Sequence, residues 1–321
     1  EIPKRDWSSD VCSSDLALAL VAAVTSAVRT APARAAEPVA GPPVAGSPMV
    51  GREQLHAILW MQTADEYRAN SLQAYRLATS KLAALKKTPG TAAVEQMAME
   101  PHRLARLPTA VVLDLDETVL DNSVYQARRA AAGLDYDEAS WQAWMQEAAA
   151  TALPGAREFL WAAARAGHRI FYVTNRHCQP QFARADDACP AKTATMRNLV
   201  ALGLPFASDR EAVSLRGERP GWESGDKGVR RAWIAERYRI IALVGDDLRD
   251  FIDRPIFAAR RAELEPLFGM RWFILPNAMY GSWERSLASD VCHKDDVADV
   301  CAQKVMTRKY ARLITAPAVG K

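Results

Sequence analysis

Four short apolar runs, each fenced by helical stretches, set the tightest limit on what this chain can become. They are Ala110–Leu115 (AVVLDL), His168–Thr174 (HRIFYVT), Ile240–Gly245 (IIALVG) and Arg271–Leu275 (RWFIL). Near-continuous apolar runs, rather than alternating ones, belong to strands buried on both faces. The segments Ala156–Ala166, Lys192–Leu202, Lys227–Tyr238 and Arg260–Leu264 read as helices between them. Strands alternating with helices predict an α/β fold: a Rossmann-like parallel sheet with helices on both faces. Residues 121–153 break the rhythm after the first strand and are expected to form a small, mainly helical cap. Ahead of the sheet, Leu55, Ile58, Leu59, Ala64, Tyr67, Leu72, Tyr75, Leu82 and Leu85 recur near helical spacing. One or two packing helices are expected there, stopped by Pro89-Gly90.

A chain of 321 residues, 49% of them apolar and 25% charged, is long enough to bury such a sheet. Its 41 basic residues nearly balance 38 acidic ones, for a net charge of +3. That balance argues against a dedicated nucleic-acid binder. No stretch reaches the roughly 20 apolar residues of a membrane span, so channels and transporters are excluded.

The N-terminus reads as an export signal. Leu16–Ala27 (LALALVAAVTSA) is a short apolar run followed by Ala33-Arg34-Ala35-Ala36, an A-x-A type cleavage site. A short buried helix is the alternative. Glu1–Asp15, where four acids dilute Lys4 and Arg5, does not suit a signal peptide. It resembles translated adapter sequence and is set aside from fold reasoning. Residues 1–36 are thus expected to be removed, and 37–50, rich in Pro, Gly and Ala, to form a flexible tether to a domain over 51–321. Cys12 precedes the apolar run, so no lipobox is visible. The expected location is periplasmic or secreted, with outer-membrane association as the variant. Four cysteines follow the cleavage site: Cys178, Cys189, Cys292 and Cys301. An even count in an exported chain predicts disulfides. Cys178–Cys189 with Cys292–Cys301 is the simplest of three pairings.

Chemistry gathers where the strand runs end. In parallel α/β sheets, ligands bind beyond the carboxyl ends of the strands. The first run ends in Asp114-Leu115-Asp116-Glu117-Thr118, whose two aspartates point the same way from a strand end. The second ends in Thr174-Asn175-Arg176, an anion-binding trio. The third runs into Gly245-Asp246-Asp247-Leu248-Arg249-Asp250, where Asp246 and Asp250 share a face if a helix starts there. Lys227 opens a helix between them. Any one acid-rich strand end is as well explained by a turn or cap. Together they form a site whose oxygen ligands suit Mg²⁺ and whose Lys and Thr suit phosphoryl transfer.

These motifs resemble those of the haloacid dehalogenase superfamily of phosphatases. More narrowly, Val111–Tyr125 (VVLDLDETVLDNSVY) and Val244–Phe251 (VGDDLRDF) resemble the bacterial class C acid phosphatases, secreted or lipid-anchored 5'-nucleotidases. Leu59–Tyr67 (LWMQTADEY) and Pro276–Glu284 (PNAMYGSWE) extend the likeness over about Gly51 to Arg312. The resemblance implies the haloacid dehalogenase fold and an aspartyl-phosphate mechanism. Asp114 is then the nucleophile and Asp116 the general acid. Thr174 binds phosphoryl oxygens and Lys227 neutralises their charge. Mg²⁺ is held by Asp114, the Asp116 main-chain carbonyl and Asp246, with Asp250 supporting Lys227 or a metal-bound water. Asn175 and Arg176 line the phosphate side, and Tyr280, Trp141 and Trp144 are the candidates for stacking a base or aryl group. For either Trp, core packing is the competing role.

The expected activity is therefore an acid phosphatase for small phosphomonoesters, 5'-nucleotides and aryl phosphates first. A phosphatase for a sugar phosphate or pyridoxal phosphate is the neighbouring reading. A non-catalytic binding or storage protein on the same fold is weakened by the presence of Asp114, Asp116, Thr174, Lys227 and Asp246 together. A protein phosphatase acting on a phosphorylated tail is disfavoured by export and by the 121–153 insertion.

Overall fold

A computed structural model describes residues 54–314. The expected signal peptide and the whole of the expected tether lie outside the described residues. The chain opens with two helices, α1 (Leu55–Thr63) and α2 (Asp65–Lys87). On α2 the buried side chains are Tyr67, Ser71, Tyr75, Ala78, Leu82 and Leu85, a stripe three and four residues apart that lies on the core. A short helix α3 (Pro101–Arg106) leads into β1 (Thr109–Leu113). The insertion follows: β2 (Leu120–Asp121), α4 (Ser123–Ala131), α5 (Glu138–Glu147) and β3 (Thr151–Ala152), with β2 and β3 paired antiparallel at its base. The remaining elements are α6 (Ala156–Arg165), β4 (Arg169–His177), α7 (Pro190–Ala201), β5 (Val213–Arg216), α8 (Gly228–Ala235) and β6 (Arg239–Gly245). They are followed by α9 (Arg254–Ala259), α10 (Arg261–Leu264), β7 (Trp272–Ile274), α11 (Ser282–Arg285) and α12 (Ala298–Ala311).

Five strands form one parallel sheet in the order β5-β4-β1-β6-β7. All five residues of β1 and all seven of β6 are buried. The alternation along β1 shows why its run looked uniformly apolar. Val111 and Leu113 enter one core with Tyr75, Phe159 and Leu199, while Ala110 and Val112 enter the other with Ile234, Phe251 and Trp272. Both faces are covered, as an all-parallel sheet requires. One strand, β5, carries no run long enough to stand out: four residues at the sheet edge, VSLR.

The strand order places a crevice. From β1 the chain moves outward to β4 and β5, then returns to the other side of β1 for β6 and β7. The loops after β1, β4 and β6 therefore diverge around one point at the carboxyl edge, where such sheets bind ligands. Both disulfides form by the local pairing, Cys178–Cys189 and Cys292–Cys301. The first closes the loop after β4, directly behind the Thr174-Asn175-Arg176 segment. Among the described residues no helix is long and apolar enough to cross a membrane.

Candidate active site

Three loops and one helix start converge on a cavity of about 530 Å³. Asp114, Asp116, Asn175, Arg176, Lys227, Asp246, Asp250, Trp141 and Tyr280 all line it. Asp114 is the first residue beyond β1, and its N–H continues the ladder to the Val244 carbonyl at 3.0 Å. That bond leaves the carboxylate at the sheet edge. Lys227, the residue before α8, is buried and donates to Asp114 and to Asp250, the latter at 2.6 Å. Burial alone would lower the Lys227 ammonium. The two carboxylates outweigh it and hold the group above its ordinary range.

Asp246 is the first residue beyond β6 and, among the described residues, has no cationic partner. Its oxygens accept from the Thr118 hydroxyl and the Asn277 amide, each at 2.9 Å. Burial, then the charges of Asp250 and Asp114, push its carboxyl well above the carboxylate range. Burial likewise raises Asp114 to about 7, with Lys227 opposing and Asp250 and Asp116 adding. Asp114, Asp246 and Asp250 each bring an oxygen within 4.8 Å of the others. Three neighbouring carboxylates, two of them buried around one ammonium, are short of positive charge, and an all-oxygen donor set fits a hard divalent cation. The trio shares Asp114 and Asp246 with the ligand set read from the sequence and adds the Asp250 side chain to it.

Asp246 and Asp250 do not share a helical face. Leu248–Asp250 is a single 3₁₀ turn closed by a capping box, in which Asp247 accepts from Arg249 N–H and Asp250 accepts from Asp247 N–H. The turn is tight enough to require the glycine before it. A Cβ at Gly245 would lie 2.4 Å from the Asp250 Cβ.

Asp116 is held by three side chains. Thr174 donates its hydroxyl at 2.9 Å, Asn122 its amide at 3.0 Å, and Arg176 grips both oxygens, with Nη2 at 2.8 Å. Thr174 and Arg176 are both almost fully buried. Their polar atoms face Asp116, which departs from the phosphate-binding roles expected of them. Asn175 does line the cavity, but both ends of its amide are engaged: Arg230 donates to its Oδ1 and Gly225 accepts from its Nδ2.

The aromatic candidates separate. Tyr280 is partly exposed at the cavity. Trp141 lines it but is buried beneath it, with the Arg176 guanidinium 5.6 Å from the ring centre. Trp144 is absent from the lining; its indole N–H donates to Asn122 at 2.8 Å. Trp144 thus corrects to a support for Asn122, and through it for Asp116. Sequence reasoning passed over Tyr136, a largely exposed ring that lines the same cavity from the α4–α5 loop. It also passed over Thr118, Asn122, Asn277 and Arg230. The first three lie inside the motif-like blocks around Asp114 and Pro276. Arg230 follows Lys227 by three residues, a spacing that puts both on one side of α8.

Comparison with known proteins agrees with this geometry. The family model for the haloacid dehalogenase superfamily, subfamily IIIB (acid phosphatase), matches residues 19–283. The chain belongs to that family and is a phosphomonoester hydrolase of the acid phosphatase class. Among solved structures, it is similar to the class C acid phosphatase from Bacillus anthracis: 30% identity, TM-score 0.65, covering 84% of this chain and 100% of that one. The same enzyme with tungstate bound matches with the same figures.

Proposed function

We propose that this acid phosphatase is a Mg²⁺-dependent hydrolase of 5'-nucleotides and aryl phosphates, working outside the cytoplasm through an aspartyl-phosphate on Asp114. The observation that carries the reading is the paired geometry of two aspartates two residues apart. Asp114 faces Lys227 and the carboxylate cluster, and Asp116 faces Thr174, Asn122 and Arg176. Two like groups in unlike surroundings support two roles.

Asp114 attacks phosphorus in line with the ester oxygen, and the P–O bond to the leaving group breaks as the Asp114–P bond forms. Lys227 places its ammonium beside the attacking carboxylate, where charge on the transferring group is offset. Mg²⁺ would be held by Asp114 and Asp246, with Asp250 beside them, and would draw charge from the phosphoryl oxygens. Asp116, fixed by Arg176 and Asn122, gives its proton to the departing alkoxide and later takes one from the water that hydrolyses the acyl phosphate. Tyr280 and the exposed Tyr136 offer ring faces to the leaving group, which supports a base or aryl substituent over a plain sugar. The two disulfides are compatible with export.

The test is phosphate release from 5'-AMP at mildly acidic pH, with Mg²⁺ and after chelation, beside Asp114→Asn. Metal-dependent release that vanishes in the variant is expected. Release from an aryl phosphate but not from 5'-AMP would remove the nucleotidase reading. Metal-independent release would remove the Mg²⁺ requirement.

A further inference from the structure

Four of the cavity's acids have partners, whereas three of the guanidinium groups that line it are short of them. Asp114 and Asp250 share Lys227, Asp116 has Arg176, and Asp247 is capped by Ser282. Arg216, Arg249 and Arg285 line the same cavity. Neither Arg216 nor Arg285 has a carboxylate partner among the described residues. Arg249 has only Asp253, at 3.5 Å, and its buried Nε makes no hydrogen bond.

Two of these cations flank one short segment. Arg216 ends β5 and donates from Nε to the Glu223 carbonyl at 2.6 Å. The Arg249 Nη2 lies 3.4 Å from where a Cβ on Gly225 would stand, so a side chain there would crowd it. Asn175 donates to the Gly225 carbonyl at 3.0 Å, which ties this segment to the β4 loop. Fully buried Arg230 lies behind them, held to Thr174 and Asn175. Burial, and then the charges of Arg231 and Arg216, bring the Arg230 guanidinium down to about 10, with Asp114 and Asp226 opposing. This side of the cavity is therefore a bank of like charge whose cost an anion would relieve.

The reacting phosphoryl group already has Lys227. A neutral nucleoside or aryl leaving group has nothing to give the bank. We propose that Arg216 and Arg249 form a second anion subsite, and that the preferred substrates are phosphomonoesters whose leaving group carries another phosphate, as in a nucleoside 3',5'-bisphosphate. The planar guanidinium fork suits a phosphate's geometry as an ammonium does not. The cavity, at about 530 Å³, has room for both groups in one ligand.

This assignment rests on the nucleotidase reading, and the experiment separates the two. Total phosphate release from 5'-AMP and from adenosine 3',5'-bisphosphate is compared for the full chain, Arg216→Gln/Arg249→Gln and Arg285→Gln. The wild type is expected to favour the bisphosphate in kcat/KM by about tenfold at low salt, with the preference shrinking as salt screens it. The double variant should lose most of that ratio, while Arg285→Gln should keep it. Because the readout is a ratio within each protein, a general loss of folded enzyme does not imitate it. No hydrolysis of 5'-AMP by the wild type sinks the nucleotidase reading itself. Hydrolysis of 5'-AMP with no preference for the bisphosphate overturns the second subsite alone. A preference abolished by Arg285→Gln, or surviving in the double variant, overturns the assignment to Arg216 and Arg249.

Discussion

His168 should set a floor on the acid stability of an enzyme whose class works in acid. It sits between α6 and β4 at 1% exposure. Its Nδ1 lies 2.7 Å from the Thr109 hydroxyl, and its Nε2 is buried without a partner. Burial, then the nearby Lys86 and Arg239, hold the imidazole at about 4 instead of the ordinary 6.5. The folded value lies below the unfolded one, so the unfolded chain takes up the proton first. The stability contributed by the neutral ring is complete above the unfolded value and drains away as pH falls toward the folded one. At about pH 5 the full shift corresponds to a loss of about 2 kcal/mol. Solvent screening of the exposed Lys86 brings the expectation to about 1–2 kcal/mol. The variant His168→Gln keeps a polar group near Thr109 and removes the titration. Urea unfolding of both proteins at about pH 7.5 and about pH 5 isolates the effect, because acid losses from other groups are common to both. The wild type should lose about 1–2 kcal/mol more than the variant over this interval. Equal losses would refute the reasoning and place the acid sensitivity elsewhere.

Two further outcomes follow from the site. Lys227→Met leaves Asp114 and Asp250 buried without their shared cation, which costs about 3–5 kcal/mol. Turnover of 5'-AMP should drop by about 10²–10³ as well; thermal melting beside a phosphate-release assay checks both, and an unchanged melting temperature contradicts the burial argument. Trp144→Phe loses the bond to Asn122, about 1 kcal/mol. It should lower kcat for 5'-AMP while leaving KM unchanged, whereas a rise in KM of about tenfold would place the ring against the substrate.

The strand and helix pattern was readable because it is local. β1, β6 and the Ile170–Val173 stretch of β4 are apolar at nearly every position, and only burial on both faces demands that. The acid clusters were readable for the same reason, since a polar break directly after a buried run marks the carboxyl edge of a sheet. Strand β5 was missed because four residues at an edge leave too little pattern. The helical reading of Asp246 to Asp250 assumed that spacing fixes geometry. The capping box, together with Asp250 packed against Gly245, chose a 3₁₀ turn instead.

Roles that depend on partners far along the chain were out of reach of spacing. Arg176 looked like a phosphate ligand until the fold set it against Asp116, 60 residues away. Trp141 and Trp144 were alike as residues on one helix, and only the position of Asn122 beneath α5 turned the second indole away from the cavity. By itself the sequence determined four of the five strands, the two covered faces and the edge where acid groups collect, because hydrophobic periodicity and strand ends are properties of neighbours. The tertiary structure alone decided which acid meets Lys227, which meets Arg176, and which guanidinium groups are left at the rim. Those pairings depend on the strand order that brings the loops after β1, β4, β5 and β6 to one crevice.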